Sequence, residues 1–110
     1  MPDTDPLALR HGAFIATIWS QIGEARTLAG LGPSPDQSAT QLRRIRHLQR
    51  QVRKAHKLEM ARQDYATPTI DGWFQPVEQC LDRAEQYFSA RILTANLPPP
   101  QQGQTAIQAP

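Results

Sequence analysis

The stretch Leu42-Arg43-Arg44-Ile45-Arg46-His47-Leu48-Gln49-Arg50-Gln51-Val52-Arg53-Lys54-Ala55-His56-Lys57 contains neither glycine nor proline, and its apolar residues recur at helical spacing. At about 100° per residue, Ile45, Leu48, Val52 and Ala55 share one face. Arg43, Arg46, Arg50, Arg53, Lys54 and Lys57 fall in a stripe about 100° wide on the opposite side. No strand-like alternation occurs here or elsewhere in the chain. A helix with one packing face and one charged face needs other helices to pack on, so the expected class is all-α.

Reading outward, Ser34-Pro35-Asp36-Gln37 opens this helix: Ser34 caps it, Pro35 takes the first position and Gln37 completes a capping box. Gly30-Leu31-Gly32-Pro33 stops the helix before it. That first helix is expected over residues 6–29, with Asp5 as its cap and Pro6 at its first position. Leu7, Phe14, Ile15, Ile18, Ile22, Ala25 and Ala29 line one side of it, and Arg10, Thr17, Ser20 and Glu24 the other. Downstream, Ala66-Thr67-Pro68 is read as the end of the second helix, because a residue before proline avoids helical geometry. The second helix is therefore expected over 35–66. A third is expected over about 72–96, with Trp73, Val77, Cys80, Leu81, Ala84, Tyr87, Phe88 and Ile92 as its stripe, ending before Leu97-Pro98-Pro99-Pro100. The expected whole is a three-helix antiparallel bundle with a long basic central helix. Residues 1–5 are read as flexible and the Pro/Gln-rich residues 97–110 as a disordered tail. Glu59 falls on the extrapolated apolar stripe of the second helix. Beyond Lys57 the apolar side is therefore expected to rotate to Leu58, Ala61 and Tyr65, facing Trp73 and Phe74.

Charge is distributed unevenly. The 110 residues carry 12 Lys and Arg against 10 Asp and Glu, a net charge of +2. Residues 42–62 hold eight of those cations and the single acid Glu59, or +7, which leaves −5 for the rest. The basic stripe runs from Arg43 to Lys57, about 21 Å at 1.5 Å per residue. Guanidinium forks match phosphate oxygens bidentately, and contacts to a nucleic-acid backbone release counterions without choosing a sequence. The leading expectation is a small non-enzymatic accessory protein that binds the backbone of DNA or RNA through this stripe. A helix-turn-helix is not expected, since that motif uses a short recognition helix after a tight turn. An acidic protein surface is the alternative partner. A third reading is a plain solvated face, neutralised by Glu78, Asp82 and Glu85. The excess of arginine over lysine, beside fourteen alanines, also fits a GC-rich coding sequence, so placement tells more than identity. His47 and His56 read as surface or boundary histidines.

On the first helix, Gly12, Ala16 and Gly23 share a side flanked by Trp19. Internal packing is the expected use of that groove, with a homodimer seam or an adaptor's docking site as alternatives. A thin core from about 90 residues favours association. No arrangement of Ser20, His11 or Asp5 suggests a nucleophile, and no phosphate-cradling glycine loop occurs. Cys80 is expected as a buried structural thiol; a lone cysteine excludes an internal disulfide and a multi-cysteine zinc site. The pair His56 and Glu59 supplies too few ligands for a metal, and no cofactor is expected. No run approaches the roughly 18 apolar residues of a membrane span. The acidic start, Met1-Pro2-Asp3-Thr4-Asp5, lacks the apolar core of a secretory signal, so a cytoplasmic protein is expected.

Overall fold

The computed structural model describes residues 6–96, in which all regular structure is helical: α1 (Pro6–Gly30), α2 (Pro35–Arg62) and α3 (Thr67–Asn96). The cap expected at Asp5, the N-terminal five residues and the Pro/Gln-rich segment 97–110 lie outside the described residues.

Local chemistry accounts for each boundary. At the end of α1, Leu31 N–H bonds to Leu28 O and Gly32 N–H to Ala29 O. Gly32 adopts φ +66°, a left-handed conformation open to glycine at no steric cost. Ser34 then caps α2. Its hydroxyl accepts from Gln37 N–H at 3.1 Å, and its own N–H donates to Gln37 Oε1 at 2.8 Å. This reciprocal pair satisfies two of the orphan donors of the first turn.

α2 ends four residues before the expected position. Gln63 turns left-handed (φ 58°) and returns its N–H to Glu59 O. α3 correspondingly starts five residues early, because Pro68 begins a helix instead of terminating one. It sits at the second helical position, where no intrahelical partner exists for the missing N–H. Thr69 and Ile70 both donate to Ala66 O and close the first turn. Pro76 lies inside α3, where it removes the bond to Gly72 O. Gly72 itself is exposed.

α3 is the helix on which the other two pack. The core comprises Ile15, Ile18, Ile22 and Ala25 of α1, Leu42, Ile45, Leu48 and Val52 of α2, and Ile70, Phe74, Val77, Leu81 and Phe88 of α3. Ile70 belongs to the first turn of α3, which the later expected start left out. Arg10, early in α1, meets Glu59, late in α2, while Glu24 meets Arg44 at 3.6 Å. On the other side, Arg46 meets Glu85 and His56 meets Asp71.

The expected rotation of the α2 apolar face does not occur. Leu58 is 55% exposed and Ala61 is exposed, whereas Tyr65 lies past the end of α2. Glu59 continues the core stripe instead and is 0% exposed. The carboxylate is tolerated there because α1 brings two donors to it.

Candidate functional site

About four turns of α2 present the six cations of the stripe, and all six are exposed. Opposite them, Ile45, Leu48 and Val52 are buried, so packing of one face holds the other toward solvent. α3 divides the stripe. Arg46 Nε donates to Glu85 Oε2 at 3.2 Å, and Arg53 Nη2 lies 3.7 Å from Asp82 Oδ1. Gln49, buried between them, donates its amide to Asp82 at 2.8 Å and to Glu85 at 3.0 Å. The Gln49 hydrogen bond, then that of Arg46, holds the Glu85 carboxyl below its ordinary range. Arg46 and Arg53 occupy the edge of the stripe that adjoins Gln49 and His56, which is the edge that α3 borders.

Arg43, Arg50, Lys54 and Lys57 have no acidic partner among the described residues. Arg43 Nη2 donates only to Thr40 Oγ1, one turn earlier, at 3.3 Å. Arg50, Arg53, Lys54 and Lys57, with His56 and Glu78, line a shallow hollow of about 480 Å³. Neutralisation by α3, one of the expected alternatives, therefore extends to two of the six cations.

Beside this surface lie two partly buried ionic clusters that the helical wheels do not mark. In the first, Arg10 Nη1 donates to both oxygens of Glu59 at 2.8 Å, and His11 Nε2 lies 2.6 Å from Oε2. Arg10 also reaches Asp64 at 3.0 Å and lies 5.9 Å from the Tyr65 ring centre. Burial pushes the Glu59 carboxyl up, but the His11 and Arg10 hydrogen bonds outweigh it and hold the group ionised below its ordinary range. Arg10 was expected to face away from the core; its long stem reaches around the helix. In the second cluster, His56 Nδ1 lies 3.0 Å from Glu78 Oε2 and Nε2 lies 2.8 Å from Asp71 Oδ1. Ionised carboxylates only accept, so the two contacts are satisfied together when both ring nitrogens carry protons, which favours the imidazolium form. Burial acts against that charge, yet the bonds to Glu78 and Asp71 raise its pKa above the ordinary histidine value. Phe74 joins the clusters, stacked on His56 at 5.0 Å and edge-on to His11 at 5.5 Å. The one visible signal was Glu59 standing on an apolar stripe; its partners lie 48 and 49 residues away and have no signature of their own.

The small-residue side of α1 is not an internal seam, contrary to expectation. Ala16 and Gly23 are exposed, Gly12 is half-buried, and Trp19 is 39% exposed. A Cβ at Gly23 would meet nothing within 4 Å, and one at Gly12 only Ala8 of its own helix. The helix turns its Ile15, Ile18 and Ile22 side to α3 instead, since those residues remove far more apolar area from water. Cys80 is half-buried, not buried as expected: it borders a groove where Arg26 Nη2 lies 3.6 Å from Sγ.

The fold and this surface define an all-helical protein with one cationic helix flank. Comparison of the chain with family models, with curated proteins and with solved structures finds no match. Among the described residues, no helix is long and apolar enough to cross a membrane. No group of three or more His, Cys, Asp or Glu there could hold a metal ion.

Proposed function

We propose that the protein is a non-enzymatic accessory factor that binds the phosphate backbone of a nucleic acid along the outer flank of α2. In this reading the three helices form an antiparallel bundle that keeps the flank straight and turned to solvent. The observation that carries it is the set of four cations, Arg43, Arg50, Lys54 and Lys57, left without acidic partners along about 21 Å of helix. A cation already paired to a carboxylate gives up that pair on binding phosphate, whereas these four do not. Without a groove-reading element, affinity rests on backbone contacts and shows little sequence preference.

Four neutralised phosphates predict that log affinity falls with log salt with a slope of about 3.6 on duplex DNA. Replacing Arg43, Arg50 and Lys54 together by Glu should abolish the interaction and leave helicity intact. Fluorescence anisotropy on labelled duplex and single-stranded DNA and RNA over a salt series measures both quantities. Wild-type affinity in the triple variant for all of these would reject the proposal.

A further inference from the structure

On the face away from that flank, α1 and α3 meet through small side chains, and a slot stays open between them. Ala25 and Ala29 of α1 face Cys80 and Ala84 of α3, and Ile22 and Phe88 complete an apolar groove of about 260 Å³. It extends from Ile22 to Ala29, about 10 Å, or two helical turns. Tyr87 O–H donates to Ala29 O at 3.0 Å and ties the two helices at one end. Two guanidinium groups flank the slot near mid-length, Arg26 on the α1 rim and Arg83 on the α3 rim. Both are exposed, and neither has an acidic partner among the described residues. Arg26 reaches across only as far as Cys80 Sγ. One turn before it, Gly23 offers no side chain and has open space above its backbone.

We infer that this slot is a docking site for an acidic amphipathic helix of a partner protein. An apolar floor two turns long, bordered on both sides by cations, complements a helix whose apolar stripe is edged on both sides by carboxylates. The docked helix would lie in the α1–α3 seam as a fourth member of the bundle, its small apolar residues entering between the alanines. A second copy of this chain fits poorly, since two such faces would bring Arg26 and Arg83 against like charges. The site is independent of the α2 flank and stands whether or not that flank binds nucleic acid.

The test uses the full chain and two sixteen-residue amphipathic peptides sharing a Leu/Ala stripe, one with Glu along both edges and one with Lys. By fluorescence anisotropy the acidic peptide should bind saturably and the basic one should not. R26Q/R83Q should weaken binding by about tenfold, the worth of two exposed ion pairs. A84F fills the slot and should also weaken it, with circular dichroism confirming helicity. The α2 variant R43Q/R50Q/K54Q should bind the acidic peptide as the wild type does. Binding that is lost in the α2 variant and kept in R26Q/R83Q would overturn the inference, as would absence of saturable binding. Slot-dependent binding of decanoate without binding of the acidic peptide would overturn it in favour of a small amphiphile.

Discussion

At the scale of single residues, the unusual feature is a glutamate at a core position. Glu59 is fully buried yet ionised, because Arg10 and His11 supply three hydrogen bonds to its two oxygens. Burying both partners of an ion pair costs hydration that their attraction scarcely repays, so replacing the acid by an apolar residue is tolerated, while stranding it is not. Glu59→Leu is therefore expected to keep stability within about 1 kcal/mol of the native chain or above it. Arg10→Leu should lower the urea midpoint clearly further, because it leaves a buried carboxylate short of donors; equal losses would contradict this account. His56 sets the pH response. Its pKa is raised on folding, so its contribution is complete below about pH 6.5 and is lost as pH rises through the higher folded value. Glu59 has the opposite sign: its pKa is lowered, so its contribution holds above the ordinary carboxylate range and fades as pH falls through the folded value. Thermal melts of the native chain are expected to decline as pH rises above about 6.5, and those of His56→Gln to lack that decline. Ser38 illustrates a different cost. Its hydroxyl is fully buried with no hydrogen-bond partner among the described residues, so Ser38→Ala should leave denaturation unchanged or shift it upward.

At the scale of elements, α2 packs with one face and carries its cations on the other, and α3 borders one edge of the outer face. Asp82 and Glu85 draw Arg46 and Arg53 toward the bundle and share Gln49 between them. Removing those charges should free both arginines for phosphate. D82N/E85Q is expected to bind nucleic acid more tightly, with a salt slope rising from about 3.6 toward about 5.4 on duplex DNA. An unchanged slope would mean that the two arginines lie too far round the helix to reach the backbone. The start of α3 carries a related lesson. Proline is a stop signal when read from the helix before it and a start signal when read from the helix after it. Which reading applies at Pro68 was settled by Gln63 taking the left-handed turn first.

At the scale of the whole molecule, a net charge of +2 conceals a division between a cationic α2 and an otherwise acidic chain. Part of that division is used internally, since α3 carboxylates hold Arg46, Arg53 and His56. The remainder leaves two unpaired cationic surfaces, one along α2 and one around the α1–α3 slot. The sequence by itself determined the helical class, the capping box at Ser34, the buried sides of α1 and the first half of α2, and the existence of the basic stripe. These depend on residues within a few positions of one another, where a period of 3.6 and local hydrogen bonds decide the outcome. Only the tertiary structure decided which cations remain free, that Glu59 belongs in the core, and that small side chains leave a slot between α1 and α3. Each of those depends on groups brought together from helices dozens of residues apart, and a burial cost at one position is legible only once its distant partner is in place.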